Sequence, residues 1–206
     1  MTTITRTASP PISTSSVVSL RDNWKQWPPE LRQEFLTRLE DNKAAELNRR
    51  FRVHCHDHQL PPEIGNNGEP WTTWLLIGGR GAGKTRAGAE WVKSLANAPR
   101  QDGETDRRIA LIGQTEHETR EVMIEGVSGL LAVHPRHARP LWSPTRRRLE
   151  WNNGAIAQAF SAEDPESLRG PQFSAAWADE LAKWRHAEAT FDMLQFDCAL
   201  ARGRGR

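Results

Sequence analysis

With 206 residues the chain is long enough for a full hydrophobic core, and its 28 basic against 26 acidic residues leave a formal charge of only +2. Bulk charge this close to balance gives no argument for a nucleic-acid partner, so local clusters must carry any such argument. Two cysteines, Cys55 and Cys198, exclude a disulfide scaffold and fit a reducing compartment. Residues 1–20 are rich in Ser, Thr and Pro and lack a long apolar core. They are expected to be a disordered lead-in, neither signal peptide nor membrane span. Pro28-Pro29 open a helix with Leu31, Phe35 and Leu39 on one face, and Leu47 and Phe51 continue it or begin a second, so 21–66 read as a small helical preface. The turn-rich run from Leu60 to Pro70 closes that preface, and the main domain is expected from about 67 to 196. Nine tryptophans and no tyrosine follow no fixed period and read as packing residues.

The next run is the most specific in the chain. Trp71–Ile77 has strand character and leads into Gly78-Gly-Arg-Gly-Ala-Gly-Lys-Thr85, which matches G-x-x-x-x-G-K-[ST], and a helix-forming run from Arg86 to Asn97 follows. Glycines let the backbone of Gly78, Gly79, Arg80, Gly81, Ala82 and Gly83 turn its N–H groups toward phosphates, at a helix N-terminus whose dipole favours negative charge. In that context Lys84 reaches the β- and γ-phosphates and the Thr85 hydroxyl ligates magnesium. The expected ligand is therefore a nucleotide with Mg2+.

Beyond the polar stretch 97–106, Arg108–Gly113 reads as a buried strand and 116–124 as a helix. Asn152-Asn153-Gly154 between two apolar runs signals a tight hairpin. A further strand, 173–178, ends in Asp179-Glu180. Strands alternating with helices indicate an α/β sheet with ligands at the carboxyl ends of its strands. An acid at the tip of a neighbouring strand is what a phosphate loop needs to hold magnesium, a role that falls to Asp179, while Glu180 suits activation of water as general base. The interval from Lys84 to Asp179 has room for an intervening strand. The expected fold is thus α/β, a P-loop NTPase of the additional-strand, catalytic-glutamate (RecA-like) type.

The run Trp74–Val92, together with Phe160-Ser-Ala-Glu-Asp-Pro-Glu-Ser-Leu-Arg-Gly-Pro-Gln-Phe173 and Trp177–Trp184, closely resembles the ATPase domain of large terminase subunits, the DNA-packaging motors of tailed phages and gene transfer agents. The resemblance extends from about Gln59 to Phe196. It implies ATP as substrate, double-stranded DNA as cargo, a portal protein and a small terminase subunit as partners, a homo-oligomeric ring on the portal with a monomer when free, and a place in the cytoplasm of the bacterial host. It also implies that Arg80 stabilises phosphate charge, against a solvated loop cation, and that Gln59 reads adenine, against a surface glutamine. Arg169 then serves the γ-phosphate of its own or a neighbouring subunit, against pairing with a nearby acid.

Two clusters stay open. His54-Cys55-His56-Asp57-His58 offers metal-ligand types, but too close together for one tetrahedral ion, and no second cluster completes a site. His134–Arg148 carries five arginines and no acid, and reads equally as a surface for DNA phosphates or a solvated hairpin shoulder. Complete family members continue after a segment like 191–196 into a coupling strand and a nuclease domain of ribonuclease H type. This chain reads Asp197–Arg206 instead, expected as a separate basic tail, with one sheet position empty and apolar surface exposed beside it. Nuclease activity is not expected from it. A working motor module, alone or with its nuclease on a separate chain, and a truncated nucleotide-binding remnant are the two readings that follow.

Overall fold

In the computed structural model residues 2–6, 26–38, 51–99 and 107–203 are described. They divide between two compact units, one of residues Ser9–Leu60 and one of Met1–Ala8 with Pro61–Arg206. In the smaller unit α1 spans Pro29–Arg38, its first turn closed by Arg32 N–H donating to Pro28 O, and α2 is the single turn Phe51–His54. Leu31 is exposed, and the expected helix positions Leu39 and Leu47 lie outside the described residues.

The larger unit is a mixed α/β structure around one sheet of seven strands. In chain order these are β1 (Thr2–Arg6), β2 (Thr73–Leu76), β3 (Arg108–Gly113), β4 (Leu141–Ser143), β5 (Arg148–Glu150), β6 (Ile156–Ser161) and β7 (Ala175–Ala178). Across the sheet they lie in the order β2-β1-β7-β3-β6-β5-β4. β3 is parallel to β6 on one side and to β7 on the other, and is buried from Ile109 to Gly113, as a parallel strand covered on both faces must be. β4, β5 and β6 form an antiparallel meander whose last turn is the expected Asn152–Gly154 loop, closed by Trp151 N–H to Ala155 O at 2.9 Å.

Helices cover the sheet in two layers. On one face α6 (Ala187–Gly203) brings Leu194 and Cys198 against Ala110, Ile112, Phe160, Phe173, Ala176 and Ala178. On the other, α3 (Lys84–Ala96) lays Gly88 directly on the indole of Trp177 in β7, so close that a β-carbon would come within 2.3 Å of the ring. Two shorter helices, α4 (Glu116–Glu118) and α5 (Leu130–Val133), flank a π-helical turn over Thr119–Ile124. Thr119 is fully buried there, and its hydroxyl accepts from Gly113 N–H while reaching Phe160 O, each at 2.9 Å. The turn thereby ties the ends of β3 and β6 together.

The structure corrects four expectations. Residues 2–6 are not part of a structureless lead-in: they form β1, whose run of Thr and Ile suits a strand. The sheet is continuous where an empty position was expected, because β1 lies between β2 and β7; apolar surface is nonetheless exposed on β2, at Leu75 and just beyond it at Ile77. α6 runs without a break across residue 197, so no separate tail begins there, and Cys198 is buried. β4 was not expected at all. No helix among the described residues is long and apolar enough to cross a membrane.

The contact between Gly88 and Trp177 leaves no room for growth. Gly88→Ala is expected to destabilise the larger unit by about 1–3 kcal/mol through overpacking, despite the better helix propensity of alanine, measured as a lower denaturant midpoint.

Candidate functional site

The Gly78–Thr85 loop leaves the carboxyl end of β2 and passes straight into α3. Gly83 caps that helix with φ +74°, a left-handed conformation that suits glycine, and Gly81 shares it at φ +81°. Ala82 N–H donates to Gly79 O, and the Ala87 N–H to Gly83 O begins the helical ladder. β-Carbons at Gly79 and Gly81 would meet nothing within 4 Å. Lys84 Nζ folds back over the loop and donates to Gly78 O at 3.0 Å and Gly79 O at 3.1 Å. The N-terminus of a helix of 13 residues, preceded by this turn and crossed by an ammonium group, has the chemistry of an anion site. Arg80 is exposed on the same loop, with no side-chain partner among the described residues.

β7 ends at the same edge of the sheet. Thr3 of β1 stands opposite Leu75 on one side and Ala178 on the other, so these two residues are level, separated by two strand spacings or about 10 Å. Gly78 follows three residues after the first and Asp179 one residue after the second. Asp179 is 6% exposed; its N–H donates to Ile112 O at 2.8 Å, and its own carbonyl accepts from the Trp184 indole at 3.0 Å. Trp184 thus fixes the backbone that presents the acid, a role no spacing rule reveals. Glu180 has φ +53° and ψ +39°, one of two non-glycine residues among those described with positive φ. Such a conformation costs about 1 kcal/mol or more. Its carboxylate points to Lys183 Nζ at 3.4 Å, a partly exposed pair.

Two other expected site residues have local partners. Arg169 donates to Glu166 at 2.8 Å within its own exposed turn, the pairing with a nearby acid that was the plainer of its two readings. Gln59 belongs to the smaller unit, where its Oε1 accepts from His56 N–H at 2.9 Å. In the neighbouring cluster Cys55 is buried and the rings of His56 and His58 stack at 5.4 Å. Among the described residues no group of three or more His, Cys, Asp or Glu is placed to hold a metal ion.

Residues 75–201 match the family model of the terminase large subunit, T4likevirus-type, N-terminal. The chain belongs to this family. Neither the curated proteins nor the solved structures contain a match. The matched span of this terminase chain takes in both the Gly78–Thr85 loop and Asp179-Glu180, and leaves Gln59 outside.

Three of the five arginines in the basic stretch of the terminase chain pair with two carboxylates that lie outside it. Arg147 pairs with Glu116 at 2.7 Å, and Arg148 and Arg146 share Glu150 at 2.6 and 3.6 Å. The hydrogen bond from Arg148 holds the Glu150 carboxyl below its ordinary value. Arg136 and Arg139 have no such partner among the described residues. At the start of the stretch His134 is buried, its Nδ1 against Leu130 O at 2.7 Å and its Nε2 accepting from the Trp151 indole at 3.1 Å. Those partners select the neutral Nδ1–H tautomer. Burial pushes its pKa below the ordinary 6.5, outweighing the Leu130 bond.

Two outcomes are expected. Because folded His134 resists protonation while the unfolded chain titrates near 6.5, its contribution to stability is intact above 6.5. It declines as pH falls below that value, until the lowered folded pKa is passed. Denaturant midpoints measured between pH 7.5 and 5.5 should therefore fall with pH, and His134→Gln should flatten the fall. Glu180→Gly should raise stability by about 1 kcal/mol, read as a higher denaturant midpoint, by relieving the left-handed backbone.

Proposed function

We propose that this chain is the ATP-hydrolysing motor domain of a terminase large subunit, working in the packaging of double-stranded DNA into proheads. Membership of the family carries the packaging role, and one geometric observation supports the chemistry: a phosphate-type loop and a buried acid followed by a strained glutamate leave the same sheet edge at the same level. On this reading the fold is a P-loop NTPase of the additional-strand, catalytic-glutamate type. Gly78–Gly83 backbone N–H groups and the α3 N-terminus receive the β- and γ-phosphates, and Lys84 exchanges its loop carbonyls for phosphate oxygens.

The oxygen donors suit magnesium: the Thr85 hydroxyl and the Asp179 carboxylate are the hard ligands that ion takes, and they belong to the two segments that meet at this edge. When bound, magnesium neutralises charge on the phosphates. Glu180 accepts the proton of the attacking water as its oxygen bonds to the γ-phosphorus and the bond to the β-γ bridging oxygen breaks, yielding ADP and phosphate. Arg80, exposed and without a carboxylate partner, stabilises the charge that develops on the phosphates. Arg169, paired with Glu166, and Gln59, accepting from His56 N–H, are secondary to the proposal. The portal protein, the small terminase subunit, a ring of copies on the portal and the bacterial cytoplasm complete the setting.

Steady-state ATP hydrolysis with and without double-stranded DNA tests this reading. Lys84→Ala and Glu180→Gln should each lower kcat/KM at least about a hundredfold, Glu180→Gln with little loss of ATP binding. Turnover untouched by both substitutions would overturn the proposal.

A further inference from the structure

β2, the strand that feeds the phosphate-type loop, has one pairing partner among the described strands. That partner is β1, which also pairs with β7. β2 and β7 are therefore parallel to each other but never touch as a ladder; a strand of the opposite direction, drawn from residues 2–6, stands between them. Its register is continuous on both sides, Thr2–Thr5 against Leu76–Thr73 and Thr3–Arg6 against Ala178–Ala175.

The energetics make this strand more than an ornament of the sheet. All four residues of β7 are buried, and β3 satisfies one edge of it. Its other edge cannot turn to water, so its backbone N–H and C=O groups need β1 or pay the cost of unmade hydrogen bonds. On the opposite side, β2 without β1 would be a strand with no ladder, anchored through Trp74, Leu76 and the continuing α3 alone. Position along the sheet is fixed by hydrogen-bond register far more tightly than by apolar contact, since a slip of one residue turns every side chain to the other face.

We propose that residues 2–6 are a positioning element of the nucleotide site: β1 sets the distance and level of the Gly78–Thr85 loop relative to Asp179-Glu180. This deepens the motor reading and rests on it for the ligand, while the structural part stands apart from it. An N-terminal segment remote in sequence from both motifs thereby decides whether they act as one site.

Three measurements test it. Thr3→Cys with Leu75→Cys, register partners, should form a disulfide on mild oxidation of the folded chain, whereas the offset pair Ile4→Cys with Leu75→Cys should not. No bond in the first pair, in protein shown to be folded, overturns the proposal. Ile4→Pro removes a ladder donor at the position opposite both Trp74 and Trp177. Amide hydrogen exchange should then accelerate at 73–76 with protection at 108–113 and 156–161 retained, and the Kd of a fluorescent ATP analogue should weaken about tenfold or more. Ile4→Val should restore both. Unchanged exchange at 73–76, or unchanged affinity alongside faster exchange, overturns it. If Ile4→Pro does not fold, Ile4→Gly takes its place with the same criteria. Wild-type protein that binds no ATP would sink the motor reading, and the disulfide and exchange results would still decide whether β1 holds β2 to β7.

Discussion

β7 is buried on both faces and paired on both edges, and the arrangement of the candidate site follows from satisfying that one strand. α3 covers one face by setting a glycine on Trp177, α6 covers the other, β3 takes one edge and β1 the second. An acid at the end of such a strand is presented from a backbone with no freedom left. The Asp179 backbone is held on both sides, its N–H donating to Ile112 O and its carbonyl accepting from the Trp184 indole.

The same rigidity explains how a strained residue persists next to it. Glu180 adopts a left-handed backbone because the chain must leave β7, turn through Leu181–Lys183 and return Trp184 to the core within a few residues. Burial of that tryptophan with Phe173 and Leu194 supplies the free energy that holds the turn. Stability in the core is thus spent on the placement of a side chain that contributes little to stability itself.

Much of this was legible in the sequence, and the parts that were not share a cause. The Gly78–Thr85 loop, the strand at 108–113 and the Asn152–Gly154 hairpin are written in local signals: glycine spacing, a continuous apolar run, turn residues. β4 was hidden because Pro140 and Pro144 bracket three residues that read as loop. β1 was hidden because its partners are remote and a run of five residues is outvoted by the Ser, Thr and Pro around it. The pairing of Arg146, Arg147 and Arg148 with Glu116 and Glu150 was equally invisible, since Glu116 is brought to the hairpin only by the fold. Composition showed a basic run; the structure pairs three of its five arginines with Glu116 and Glu150. The ends of elements held least well, as α6 crossing residue 197 shows.

The connectivity of β1 has a kinetic consequence. Its register with β7 joins residues about 170 positions apart, whereas its register with β2 spans about 70 and that of β3 with β7 spans 66, so the β1–β7 ladder closes by far the longest loop in the sheet. Loop closure of that length comes late, after the local β3–β6–β7 layer has formed. On a ribosome β1 emerges well before β7 and waits about 170 residues for its second neighbour. The level of the phosphate-type loop relative to the end of β7 would then be set only once β7 itself had been made.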